Sequence, residues 1–303
     1  MPEKFLIVIA GPTAIGKTKL SIKLAKQLNT AIINADSRQV YKDLKIGTAK
    51  PSLSELSEAR HYLVDFLPIH TTYNAGQFEK DALNLLDSLF QEKNVVIVSG
   101  GSGLYIKALC EGMDDIPKVS NHFREELNRS YQDHGIGLLL KELEQKDPEY
   151  FSFVDKSNTN RIIRALEIIR GTGKKFSSFR NAKKKNRDFT IIKIGLERNR
   201  EELYELINLR MDLMIEKGLV NEAIAIKNFK NCNALQTVGY REIYDYFDGK
   251  YNWEEAVRLL KRNSRRYAKR QMTWFKGNPE YHWFHPENFE DIFHFIQRNI
   301  GNS

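Results

Sequence analysis

The residues from Gly11 to Thr18 (Gly11-Pro12-Thr13-Ala14-Ile15-Gly16-Lys17-Thr18) meet every fixed position of the phosphate-loop pattern G-x-x-x-x-G-K-[ST]. The glycines of such a loop let backbone N–H groups converge on an anion, and the helix that follows adds positive potential at its N-terminus. The pattern gives Lys17 the terminal phosphates and gives the Thr18 hydroxyl a Mg²⁺ ion to hold. A diphosphate or a triphosphate such as ATP is therefore the expected ligand. Downstream, Asp36 heads the run Asp36-Ser37-Arg38-Gln39. A carboxylate beside an anion site has two main uses, holding a metal or taking a proton from a nucleophile.

Both groups need elements to present them. Phe5–Ala10 is an uninterrupted apolar run and reads as a buried strand, and Leu20, Leu24 and Leu28 recur at helical spacing behind the loop. Residues 31–34 read as a second strand delivering Asp36 at its carboxyl end, where ligands gather in open α/β sheets. Residues 61–65 are a candidate third strand and Ala75–Phe90 an amphipathic helix. Val95–Ser99 is a buried strand ending in Gly100-Gly101-Ser102-Gly103, with a helix from Leu104. A phosphate-loop ATPase places an acid after such a strand for Mg²⁺ and water. Here Ser99 and Ser102 stand instead, which favours some other chemistry on a phosphorylated substrate over phosphoryl transfer.

Residues 114–188 change character after Asp115-Ile116-Pro117 and carry helical stretches at 123–130, 137–144 and 160–170. Phe189–Leu196 alternates and returns to the sheet. Helices are expected at 200–217 and 219–229, another after Thr237, and a last strand at His282–Phe284. The predicted fold is α/β: a P-loop NTPase-like core with a parallel sheet, residues 1–113 and 189–303, and a helical insertion domain at 114–188.

Composition is that of a globular protein, with 41% hydrophobic and 28% charged residues. Two well-separated cysteines, Cys110 and Cys232, fit a reducing cytoplasm, and no run approaches membrane-spanning length. His282-x-x-His285 lacks partners at zinc-ligand spacing. The net charge of +8 hides an asymmetry. Asp155–Lys193, including the Lys183–Arg187 cluster, holds twelve Lys/Arg against three Asp/Glu, and Arg258–Lys276 holds eight Lys/Arg and no acid. Concentrated positive charge suits a polyanion longer than a nucleotide. On a helix, Val257, Leu260, Ser264, Tyr267, Ala268, Gln271, Trp274 and Phe275 share one side. Arg258, Lys261, Arg262, Arg265, Arg266, Lys269 and Arg270 cover the other, a face expected to repel itself unless a phosphate backbone lies beside it.

Taken together, the phosphate loop, Asp36-Ser37-Arg38-Gln39-Val40-Tyr41, Ile46-Gly47-Thr48-Ala49-Lys50-Pro51 and Gly100-Gly101-Ser102-Gly103-Leu104-Tyr105 resemble the bacterial tRNA dimethylallyltransferases. So do Asn160-Arg161-Ile162-Ile163-Arg164-Ala165-Leu166-Glu167, Val238-Gly239-Tyr240-Arg241 and Tyr267-Ala268-Lys269-Arg270-Gln271, in order over roughly residues 5 to 285. The resemblance implies transfer of a dimethylallyl group from its diphosphate to N6 of the adenosine at tRNA position 37, beside the anticodon. It implies Asp36 as base, Lys17 and a Thr18-bound Mg²⁺ at the diphosphate, and Arg241 assisting at the diphosphate or the substrate. It also implies contacts with the tRNA anticodon stem-loop at Asp36, Ser37, Arg38, Gln39, Ser102, Arg124, Asn160, Arg161, Ile162, Ile163, Arg164, Val238, Gly239, Tyr240, Arg241 and Glu242. Ser102 stands where the family usually has threonine, and Asn160 where glutamine is common. A cytoplasmic monomer is expected.

Two other readings share the loop. An isopentenyltransferase acting on free adenine nucleotide gives no reason for two basic segments. An RNA-binding ATPase or a nucleotide kinase wants a Mg²⁺-holding acid near the loop. Labelled dimethylallyl diphosphate offered with tRNA or with AMP separates the first two, and RNA-stimulated ATP turnover marks the third.

Overall fold

The computed structural model describes residues 3–180 and 184–301. Its chain forms two compact units, Met1–Glu111 with Asn186–Ser303, and Gly112–Lys185. Lys183 of the basic cluster lies outside the described residues.

The larger unit is built on a six-stranded sheet of order β3-β2-β4-β1-β5-β6, with every pairing parallel. Its strands are β1 Phe5–Ala10, β2 Ile32–Asn34, β3 His61–Tyr62, β4 Val95–Gly100, β5 Thr190–Leu196 and β6 His282–Phe284. β1 lies between β4 and β5, with Ile7 opposite Ile97 and Ile192. All six of its residues are buried, as a strand covered on both faces requires. The helices of this unit before the insertion are α1 Lys17–Gln27, α2 Leu53–Glu58, α3 Ala75–Leu89 and α4 Gly103–Glu111. Isoleucines 7, 9, 97 and 194 pack with Leu20 and Leu24 of α1 in one apolar cluster. Because all strands run one way, the ends of β1, β2, β4 and β5 bring Gly11, Ala35, Gly101 and Glu197 to the same edge.

The smaller unit holds α5 Asn121–His134, α6 Ile136–Lys146, α7 Pro148–Phe153 and α8 Thr159–Thr172. Leu127, Leu139, Leu143, Tyr150, Ile162 and Leu166 form its own core. Asn158 caps α8 by accepting the Arg161 N–H, and Gly173, at φ 70°, ends it in the left-handed conformation that glycine adopts without strain.

The larger unit continues with α9 Arg200–Glu216, α10 Leu219–Ala225, α11 Tyr240–Phe247, α12 Trp253–Lys276 and α13 Phe289–Gly301. α12 packs against α9, α11 and α4. Among the described residues no helix is long and apolar enough to cross a membrane.

Several elements differ from expectation. The third strand stops at Tyr62, because Leu63 and Asp65 adopt φ 58° and 59°, which no strand can continue. The helix expected over 219–229 ends at Ala225 and gives way to a 3₁₀ turn at Lys227–Phe229. α2, α7 and α13 were not expected. Their signals were nevertheless present: a Ser52–Glu55 capping box, Asp147 before a Pro148 start, and Phe289, Ile292 and Ile296 at helical spacing.

Candidate active site

β1 runs directly into the loop, and Gly11 passes so close to β5 that a Cβ there would lie 3.1 Å from the Leu196 carbonyl oxygen. Gly16, at φ 105°, turns the chain into α1. Lys17 Nζ donates to the carbonyls of Gly11 at 3.0 Å and Pro12 at 2.7 Å. Burial of that ammonium, then the nearby Arg210 cation, pull its pKa down to about 7, with Asp36 acting in the opposite sense. Thr18 is half-buried in the first turn of α1.

β2 ends at Asn34, and Asp36 follows in a tight turn. Its Oδ1 accepts the Arg38 N–H at 2.8 Å and the Gln39 N–H at 3.3 Å, while among the described residues Oδ2 accepts no hydrogen bond. The turn is braced from β4: Ser102 Oγ accepts the Ser37 N–H at 2.9 Å, and Ser102 N–H donates to the Ala35 carbonyl at 3.2 Å. Only glycine fits at position 100, since a Cβ there would lie 2.1 Å from the Ala35 oxygen. Gln39 Nε2 donates to the Thr48 and Ala49 carbonyls, tying this turn to the following loop.

The charge of Asp36 bears on Lys17, Arg210, Tyr105 and Tyr267. Burial and then Asp36 push the Tyr267 phenol up to about 12, against Arg38 and Arg270. Tyr267 comes from α12, as do Gln271 and Trp274. Gln271 bonds Thr13 and Gly101, and the Trp274 indole lies where a Cβ on Gly103 would be, 2.2 Å from Cδ1. The apolar side of α12 therefore does more than pack: it closes around the loops at the sheet edge. Arg210 was overlooked because it sits in a helix of mixed composition with no local motif. Tyr267, Gln271 and Trp274 stand in the sequence as one side of a helix, and Tyr267 to Gln271 as a motif of the resemblance, with no site role attached.

The sequence-derived site residues divide among several places. Gly11, Pro12, Thr13, Ala14, Ile15, Gly16, Lys17, Thr18, Asp36, Ser37, Arg38, Gln39 and Ser102 gather at the ends of β1, β2 and β4. Tyr240, Gly239 and Glu242 are buried, and the side chains of Tyr240 and Glu242 bond within the protein. Tyr240 is fully buried, its hydroxyl donates to Glu222 at 2.6 Å, and burial pushes its pKa up. The same Glu222 carboxylate accepts the N–H groups of Lys45, Ile46 and Gly47. The Tyr240 ring fills the space a side chain on Gly47 would need. The buried Glu242 caps the Gly239 N–H at 2.8 Å and accepts from Asn263. These residues shape the loop at 45–47 from beneath. Val238 is half-buried and Arg241 is exposed on α11, near Tyr251. Arg210 bears on Lys17, and Asp36 bears on both.

In the helical unit, the Ile162 and Ile163 side chains are buried in the core. Asn160 and Arg161 are exposed at the start of α8. Arg124 and Arg164 both pair with the buried Glu167 carboxylate, at 3.1 and 3.0 Å.

The cationic face of α12 is less self-repelling than expected. Arg258 pairs with Glu255, one turn earlier in α12, and Lys261 with Asp212 of α9. Arg265 is held by Asn208 and lies over the Tyr204 ring. Arg266, Lys269 and Arg270 project exposed.

Among the described residues no cluster of three His, Cys, Asp or Glu side chains could hold a metal. The donor set instead suits Mg²⁺ carried by phosphate oxygens and waters, with one or two protein oxygens such as the Thr18 hydroxyl.

A sequence profile described as IPP transferase matches residues 39–278. The chain is 51% identical over 298 residues to a tRNA dimethylallyltransferase of Cytophaga hutchinsonii, covering 98% of both, and 50% identical to that of Christiangramia forsetii, covering 99% of both. Its fold matches the full-length tRNA isopentenylpyrophosphate transferase of Bacillus halodurans with a TM-score of 0.74 at 35% identity, over 99% of this chain and 98% of that one. It also matches a eukaryotic dimethylallyltransferase acting on tRNA, with a TM-score of 0.78 at 27% identity, over 95% of this chain and 75% of the other.

Proposed function

We propose, from the premise that this chain belongs to the IPP transferase family, that its sheet-edge site joins a departing diphosphate to a base for an RNA amine. The protein is an α/β tRNA-modifying prenyltransferase. It transfers the dimethylallyl group of dimethylallyl diphosphate to N6 of adenosine 37 of tRNA and releases diphosphate. The allylic C–O bond breaks and its electron pair leaves with the diphosphate, while the N6 lone pair forms the new C–N bond. Backbone N–H groups of the phosphate loop, Lys17 and Arg210 stabilise the charge that develops on the leaving group. Thr18 would hold Mg²⁺ together with the diphosphate, and the ion would supply further charge neutralisation there. Asp36 accepts the proton that N6 loses. The target base must be unstacked to enter, which costs a few kcal/mol, less in an anticodon loop than in a duplex.

The observation that carries this reading is the arrangement of Asp36. One carboxylate oxygen locks its own turn, the other accepts no hydrogen bond from the described residues, and its charge couples to both Lys17 and Arg210. The exposed Arg266, Lys269 and Arg270, together with Asn160 and Arg161, supply groups for the tRNA backbone. A cytoplasmic, monomeric enzyme fits such a substrate. Incubation with labelled dimethylallyl diphosphate and unmodified tRNA tests the reading: label should appear on adenosine 37. Label on AMP but none on tRNA would sink it.

A further inference from the structure

α12 hydrogen-bonds the phosphate loop through Gln271. Gln271 is 7% exposed, its Oε1 accepts the Thr13 N–H at 2.9 Å, and its Nε2 donates to the Gly101 carbonyl at 2.9 Å. The contact is closed on the far side, since a Cβ on Gly101 would lie 2.3 Å from Nε2. One partner is a donor and the other an acceptor, so the amide orientation is dictated. A primary amide meets both demands at once, whereas a carboxylate lacks the donor and an ammonium lacks the acceptor. Gly101 leads to Ser102, which bonds both Ala35 and Ser37, the residues flanking Asp36. An unbroken path therefore runs from the anion cradle through Gln271 to the turn that holds the base.

We infer that Gln271 is a positioning residue for the transfer reaction, fixing the separation between the diphosphate cradle and the Asp36 carboxylate. The inference rests on the transferase reading above. Gln271 leaves the loop's affinity for diphosphate to the loop itself and acts on the alignment of leaving group and base. A misplacement of about 1 Å can cost on the order of 10²-fold in rate.

The test compares the full-length protein with Gln271→Leu and Gln271→Glu in the labelled-transfer assay. Gln271→Leu should lower kcat by about 10²-fold while KM for dimethylallyl diphosphate stays near the wild-type value. In Gln271→Glu the introduced carboxylate still accepts from Thr13 but faces the Gly101 carbonyl without a proton. Protonation restores the missing donor, so its kcat relative to wild type should climb as pH falls from about 8 to about 6, the range into which burial lifts a carboxyl. A purely structural role would lower yield or melting temperature without this acid rescue. A flat ratio across that range, or a Gln271→Leu kcat within about twofold of wild type, overturns the role of Gln271 while the transferase reading stands. A wild-type protein that leaves tRNA unlabelled overturns both.

Discussion

Asp36 holds its own turn with one oxygen and in the proposed reaction takes a proton with the other, which decides how its chemistry can be tested. Removing the whole side chain would release the turn as well as the base, because Oδ1 accepts the Arg38 N–H. Asp36→Asn keeps an acceptor for the turn and removes the base. Turnover should fall by ~10²–10⁴-fold with tRNA affinity nearly unchanged; wild-type turnover would take Asp36 out of the proton transfer. Lys17 offers a second measurement. With its pKa held down to about 7 by burial and then Arg210, it is mostly neutral above pH 7 in the ligand-free loop. A bound diphosphate favours the charged form and raises that pKa. Binding of dimethylallyl diphosphate at about pH 8 should therefore take up close to one proton, and the uptake should vanish as pH falls well below 7. Calorimetry in buffers of differing ionisation enthalpy reads this directly, and Lys17→Met should show no such uptake.

α12 illustrates how one helix serves two surfaces. Its inward side carries Leu260, Ser264, Ala268, Gln271 and Phe275 at helical spacing, and the sequence shows that stripe plainly. Its outward side is basic along its length, but neighbours from other elements neutralise part of it. Asp212 and Asn208 lie on α9, some fifty residues earlier, and no periodicity within α12 could reveal them. Arg266, Lys269 and Arg270 remain exposed and are the cations proposed to meet the RNA backbone. Replacing these three with Gln should weaken tRNA binding and reduce the slope of log affinity against log salt by about 2. An unchanged slope would mean that this face meets no phosphate. The Val238–Glu242 segment makes the complementary case. The Tyr240 hydroxyl bonds Glu222, and the Glu242 carboxylate accepts from Gly239 and Asn263, partners that no pattern within the segment could reveal.

The whole chain folds as two units with separate cores. Leu166 is fully buried in the core of the smaller one. Leu166→Ala should remove about 2–5 kcal/mol from that unit, seen as faster amide exchange within 112–185 while diphosphate still binds the larger unit. Uniform loss of protection across both units would contradict separate cores. The phosphate loop, the strand feeding it, the turn at Asp36 and the glycine run at 100–103 were legible in the residues because each is a local pattern. Backbone geometry and hydrogen-bonding chemistry fix such patterns within a few positions. The partners of Arg210, Gln271, Tyr267 and Glu222 were not legible, since each lies far along the chain: Gln271 and Thr13 become neighbours only once a parallel sheet has brought its strand ends to one edge and α12 has packed across them. Local chemistry determined what this protein handles; long-range packing, which alone sets which distant groups share a low-dielectric space, decided which side chains align it.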